Sequence, residues 1–106
     1  MFSINGETWS VVLVMPYDVA LYMPNGNYAL GACNDATKTI YISNELHREE
    51  FEMVLCHELV HAAMFAYDVE LGYSEEELLA EIISVFGEEI IDLTDIIFEK
   101  IRRGRY

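Results

Sequence analysis

Two histidines and a glutamate form the pattern in this sequence that predicts a chemical reaction, His57-Glu58-Leu59-Val60-His61. Residues four apart on a helix lie on the same face, so the imidazoles of His57 and His61 can bind one metal ion. Imidazole nitrogens suit zinc, at a distance of about 2.0–2.1 Å. Glu58 lies beside the first ligand, where it can accept a proton from a metal-bound water. The pattern therefore predicts hydrolysis that depends on zinc.

A catalytic zinc usually has three protein ligands, so a third is expected elsewhere in the chain. Glu77 and Glu81 are the best candidates, because they are four residues apart and can share one face of a following helix. Each has an ordinary alternative role. Ser74 and Glu77 have the spacing of a capping box, in which Glu77 would bind the backbone of Ser74. Glu81 would equally suit a solvated helix surface.

Other chemically active side chains are less well placed. Cys56 points away from the face of His57 and His61, and His47 lies ten residues before His57. The two cysteines lack the paired spacing of a zinc or redox motif. Hydrolysis also needs a hydrogen-bond donor for the oxyanion. The sequence does not choose between four candidates for it: His47, Tyr67, Tyr73 and Tyr106.

The elements that must position these residues change character at about residue 44. Residues 1–43 predict strands, at 2–4, 8–14, 28–33 and 39–43, with turns at Asn5-Gly6 and Asn25-Gly26. From there the apolar spacing is helical. An active-site helix is predicted over 44–66, capped by Ser43 or Asn44, and further helices over 74–102, with Gly87 ending or kinking the first of them.

The fold class is therefore α+β, in a single domain over residues 1–106. A small N-terminal sheet, mainly antiparallel, precedes the active-site helix and one or two further packed helices. No apolar stretch approaches the ~20 residues of a membrane span. The N-terminus lacks the basic and apolar regions of a signal peptide. We accordingly expect a cytoplasmic protein with reduced thiols.

The charge balance restricts the class of partner. Six Lys and Arg oppose nineteen Asp and Glu, which gives a formal net charge of −13. Such a chain would not neutralise phosphates, so we expect neither nucleic acid nor an anionic membrane as its partner. The expected partner is a protein or peptide substrate, and a basic protein would be attracted most strongly.

Residues 54–86 resemble a known family of peptidases. The segment from Val54 to Ala63 resembles the extended zincin consensus, and Glu77-Leu78-Leu79-Ala80-Glu81 is similar to the glutamate-bearing second helix of gluzincins. With the preceding strand 39–43 and the short length, the chain looks most like the small phage and prophage zincins related to ImmA/IrrE-type metallo-endopeptidases. The resemblance implies a minimal zincin-like domain.

The same resemblance implies roles for particular residues. It implies His57, His61 and Glu77 as zinc ligands, Glu58 as the general base, and Glu81 as an outer residue that supports a ligand histidine. Position 81 is more commonly Asp or Asn in the family, and the longer Glu81 could reach the metal itself.

Three functions fit these observations. The first is a zinc metallo-endopeptidase that cleaves selectively, since so short a chain builds no deep cleft. The second is a zincin-like module with little or no activity that binds a protein partner through its acidic surface. A purely structural zinc site is the weakest, because such sites are usually rich in cysteine.

Overall fold

A small sheet packs on two helices in the computed structural model, which describes residues 1–104. The strands are β1 (Phe2–Ile4), β2 (Glu7–Val14), β3 (Gly31–Asn34) and β4 (Thr39–Ser43), with a 3-10 turn at Val19–Leu21 between β2 and β3. The helices are α1 (Arg48–Ala66) and α2 (Tyr73–Arg102). This arrangement confirms the predicted α+β class and minimal zincin-like domain.

The sheet is mixed, with the strand order β1-β2-β4-β3. β1–β2 and β3–β4 are antiparallel, whereas β2 and β4 are parallel. Asn5 and Gly6, both at positive φ, form the predicted hairpin turn. The second turn signal, Asn25-Gly26, lies in the crossover that separates β2 from β3. As the last strand in this order, β3 lies at one edge of the sheet.

One face of the sheet and the inner face of α1 form the core. Trp9, Ile40, Ile42 and Ala62 are fully buried there. Apolar side chains of α1 complete the cluster, among them Phe51, Val54, Leu55 and Leu59. Because this packing fixes the rotation of α1, it also fixes which way His57 and His61 point.

α1 begins later than the sequence predicts. Neither Ser43 nor Asn44 caps it, and His47 occupies the N-cap without a side-chain hydrogen bond. Ser43 is the last residue of β4, and the Asn44 amide donates to the Val14 carbonyl at 2.8 Å. The sheet thus retains Ser43, and the helix starts only after a short turn that begins at Asn44.

α2 is one continuous helix of 30 residues, which corrects the predicted break at Gly87. Its first half packs on α1, and Ala80 is fully buried there. Beyond Gly87 the large apolar side chains are exposed. Neither helix is long and apolar enough to cross a membrane, within residues 1–104.

Candidate metal centre

Helix α1 presents His57 and His61 side by side. Their ring centroids are 5.1 Å apart, with the rings tilted by 60°. Their side chains keep 20% and 12% of their accessible surface, so each is largely shielded but still reachable from the adjoining cavity. This is the arrangement expected for imidazoles one helical turn apart on a packed helix.

Glu77 of α2 faces both imidazoles. One carboxylate oxygen lies 2.8 Å from His61 Nε2 and the other lies 3.3 Å from His57 Nε2. Ligand atoms from the three residues all lie within 4.8 Å of one another. Tetrahedral zinc with bonds of about 2.0–2.1 Å separates its ligands by roughly 3.3 Å. The cluster of His57, His61 and Glu77 is therefore compatible with a metal site.

The outer nitrogens of both histidines face further carboxylates. Glu76 Oε2 lies 2.5 Å from His61 Nδ1, and Glu81 Oε2 lies 3.8 Å from His57 Nδ1. Glu77 thus lies on the Nε2 side of the pair, and Glu81 lies on the opposite side of His57.

Both ring nitrogens of His61 therefore meet a carboxylate. A neutral imidazole has a single N–H, and the close Glu76 contact assigns that proton to Nδ1. The remaining contact, between Nε2 and Glu77, then needs a second proton or a cation bound by both atoms. This donor set fits a divalent metal.

Glu76 is the residue of the site that the sequence analysis missed. It sits in the acidic run Glu75-Glu76-Glu77, where the sequence favours Glu77 as a ligand and leaves a capping box of Ser74 and Glu77 as the alternative. The structure does not show that alternative, because α2 starts at Tyr73 with Gly72 at its N-cap and no side-chain cap. The available signal was the helical offset, since a residue next to Glu77 is turned by 100° and can contact the other side of an imidazole.

Glu58 lies beneath the cluster with 8% of its surface exposed. Burial raises the pKa of its carboxyl; the nearby His61 and His57 oppose that shift, and the Glu77 carboxylate adds to it. A carboxyl with a raised pKa exchanges protons closer to neutral pH, which is what general-base chemistry requires.

The described candidates for an oxyanion donor are separated by the fold. Tyr73 lines the cavity that contains His57, Glu58 and His61. Tyr67 is the exposed C-cap residue of α1, and His47 lies at the opposite end of that helix. Tyr106 lies outside the described residues.

The cavity has a volume of about 440 Å³ and opens between β3, α1 and α2. The described residues that line it include no Lys or Arg, but they include three carboxylates, those of Glu58, Glu77 and Glu81. Much of the remaining wall is apolar: Leu21, Met23, Pro24, Leu30, Met53 and Val54. Its charge favours a cation, and its wall favours an apolar side chain.

Gly31 brings the edge strand against the active-site helix. A Cβ added there would lie 2.6 Å from Val54 Cγ1 and 3.1 Å from Glu58 Cγ. The first distance is too short for any real Cβ, so the missing side chain lets the backbone of β3 approach Glu58 closely.

Cys33, two residues further along β3, does not join the metal cluster. Burial, with a contribution from the Glu58 carboxylate, raises the pKa of its thiol to about 12. The thiol therefore stays protonated at neutral pH, whereas a metal ligand or nucleophile must be a thiolate. Both cysteines are free.

The chain matches a known protein family. A model of the Peptidase M78 family, described as the IrrE N-terminal-like domain, matches residues 12–96. No curated protein and no solved structure matches the chain. The matched range contains His57, Glu58, His61 and Glu77.

Proposed function

The chain belongs to the Peptidase M78 family of IrrE N-terminal-like domains, and we propose that it is a zinc-dependent metallo-endopeptidase. Family membership confirms the predicted relationship to ImmA/IrrE-type peptidases and supports a peptidase at the level of the family. The observation that carries the proposal is the approach of two imidazole Nε2 atoms to one carboxylate, at 2.8 and 3.3 Å, beside a buried glutamate.

His57, His61 and Glu77 would hold the zinc. When bound, the metal would acidify a water and polarise the carbonyl of the scissile peptide bond. The chain's own contribution is the orientation of the ligands: Glu76 holds the proton of His61 on Nδ1 and leaves Nε2 free to bind. Glu81, at 3.8 Å, is a weaker partner for His57.

Glu58 is the general base of the proposed reaction. Its carboxylate would accept a proton from the attacking water and return it to the amine that leaves. Burial favours both transfers, because the raised pKa brings the carboxyl closer to the pH at which the reaction runs.

Tyr73 is the oxyanion donor that we favour among the four candidates. It lines the same cavity as Glu58, and the exposed position at the start of α2 leaves its hydroxyl free to turn towards a substrate. A phenol donor there would stabilise the charge that develops on the carbonyl oxygen.

An extended peptide would bind along the free edge of β3. The Ser43 amide donates to the Leu30 carbonyl at 2.9 Å, so residues 30 and 43 form a hydrogen-bonded pair of the antiparallel ladder. The N–H and C=O groups of the alternate residues, Gly31 and Cys33, consequently point to the free edge. A substrate strand paired there would pass the cavity that holds Glu58.

The apolar wall of the cavity supports a preference for substrates with a large apolar side chain beside the scissile bond. Acidic peptides would be repelled by the carboxylates of the site and by the net charge of −13. The free thiols support a reducing compartment, so we propose the cytoplasm as the place of action.

Cleavage of a peptide library tests the proposal. We expect the zinc-loaded wild type to cleave, a chelator to abolish cleavage, and Glu58→Gln to lower kcat/KM by about 10²–10⁴-fold with zinc still bound. Glu49→Gln, on the exposed first turn of the same helix, is the matched control and should cleave as the wild type does. Equal cleavage by wild type and Glu58→Gln would sink the proposal.

The acidic surface supports one alternative, a module that binds a basic protein and cleaves nothing. This function predicts capture of the same partner by wild type and by Glu58→Gln, in the absence of any peptide cleavage. The same pair of proteins thus separates the two functions.

A further inference from the structure

The second half of α2, residues 88–102, presents an apolar face that the described fold leaves exposed. Its large side chains keep between 38% and 63% of their accessible surface. They are Ile90, Ile91, Leu93, Ile96, Ile97, Phe98 and Ile101. A helix so rich in exposed aliphatic side chains would be unfavourable in water without a partner. We call this segment the distal helix.

Most of these side chains share one side of the distal helix. Ile90, Leu93, Ile97 and Ile101 are spaced by three, four and four residues, which places them in one stripe along the axis. Most of the acidic and basic residues lie on the opposite side, whereas Glu89 and Lys100 border the stripe on one flank. The segment is therefore amphipathic, like one strand of a helix pair.

Charge is divided along the axis of the distal helix. Four acids occupy its first half, Glu88, Glu89, Asp92 and Asp95. The bases Lys100, Arg102 and Arg103 follow in the last turns, with Glu99 among them. Glu99 contacts Arg102 at 2.8 Å and Arg103 at 3.6 Å, in exposed pairs that leave other guanidinium donors free.

From this complementarity we propose that two copies of the chain form a homodimer, with their distal helices packed antiparallel. An antiparallel pair centred near Asp95 places the apolar stripes together. It also brings Glu89 of each copy to Lys100 of the other, because both residues border the stripe on the same flank. A parallel pair would instead oppose acid to acid and base to base.

A second copy is the occupant that the charges select. An antiparallel two-fold interface must complement itself, and the distal helix carries both halves of the required pattern. The acidic half would be repelled by an anionic membrane. A net charge of −13 makes two copies of the chain repel each other, so a dimer requires the local pairing of opposite charges between the distal helices.

The proposed interface is separate from the metal centre. Ile97 lies twenty residues beyond Glu77 on the same helix, which corresponds to about 30 Å. Substitutions in the distal helix should therefore leave zinc binding and peptide cleavage unchanged. Failure of the dimer and failure of the proposed peptidase can thus be told apart.

Sedimentation of the full chain tests the proposal. We expect a species of twice the 12.2 kDa of one chain at micromolar to about 100 µM protein. The acid reversal Glu88→Lys with Glu89→Lys should weaken the dimer by at least about tenfold, and so should the base reversal Lys100→Glu. A mixture of these two variants should restore association, because each supplies what the other lacks.

Two further variants complete the design. Ile97→Glu places a charge in the apolar stripe and should abolish the dimer, while its helical circular dichroism should match that of the wild type. Glu45→Lys with Glu70→Lys makes the same change in net charge at exposed sites elsewhere and should leave the dimer intact. A monomer at about 100 µM, or a dimer indifferent to both reversals, would overturn the proposal.

Discussion

The two halves of α2 have similar compositions and both expose large apolar side chains, but only the first half contains a buried residue and contacts the histidines. Residues 73–86 pack on α1, bury Ala80, and hold Glu76 and Glu77 against the histidines. Residues 88–102 continue the same helix into solvent, with their isoleucines exposed. An apolar helical pattern thus establishes that a face needs a partner, but the identity of that partner depends on the rest of the chain.

The largest expected difference between the two halves of α2 is in zinc binding, when a carboxylate is removed from the first half. Glu77→Ala is expected to weaken zinc binding by more than about 100-fold, beyond the loss of an outer partner, because it removes one of the three proposed ligands. Competition with a coloured chelator measures the dissociation constant. Glu99→Ala, in the second half, is the control and should bind zinc as the wild type does; equal losses in both variants would erase the distinction between the halves.

Loss of the outer carboxylates, those of Glu76 and Glu81, should weaken zinc binding by smaller and unequal amounts. Glu76→Gln is expected to weaken zinc binding by about 10–100-fold, because it removes the contact that orients His61. Glu81→Gln should cost less, since 3.8 Å separates its carboxylate from His57 against 2.5 Å for Glu76 and His61. The exposed neighbour Glu75→Gln is the matched control, and a larger loss at Glu81 would reverse the assignment.

Substitutions of apolar residues should change the free energy of unfolding more in the first half of α2 than in the second. Ala80→Leu is expected to lower it by about 1–3 kcal/mol, because the fully buried site between α1 and α2 has no room for the larger side chain. Ile97→Ala should change it by less than about 0.5 kcal/mol in the acid-reversal variant, where the dimer is absent. Urea denaturation measures both, and similar values would show that the second half is packed within one chain.

The smallest effect is expected where the halves join. Gly87→Ala should raise the free energy of unfolding by about 0.5–1 kcal/mol, because alanine is the better helix former. The added Cβ would lie 3.2 Å from Ile83 Cγ2, and Ile83 is exposed enough to give way. The acid-reversal variant again removes the influence of the dimer. A loss of stability on this change would indicate that Gly87 marks a break after all.

That junction also shows where local sequence signals fail. Gly87 costs a helix interior roughly 1 kcal/mol, which is too little to end a helix of 30 residues. The sequence therefore predicted the helical residues but not their continuity. The strands at 2–4 and 39–43 were predicted with their observed bounds, because their apolar alternation is local.

The strand pairing and part of the candidate site depend on tertiary contacts, which local sequence signals do not encode. The parallel pairing of β2 with β4 joins segments separated by a long crossover, so no turn motif encodes it. In the site, the spacing of His57 and His61 follows from the helix alone, and Glu77 came from resemblance to gluzincins. Glu76 depends on the rotation of α2 against α1, which the acidic run did not reveal.

The approach of β3 to α1 at Gly31 restricts how specificity could be changed. The strand rests on Val54 and Glu58 through bare backbone, so the distance between Glu58 and the edge proposed to bind a peptide depends on an absent side chain. Any larger residue there would push the strand outwards and move that edge away from the proposed base. A change in the proposed substrate preference should therefore come from substitutions in the apolar wall of the cavity, at Met23, Leu30 or Met53. Gly31 should be kept.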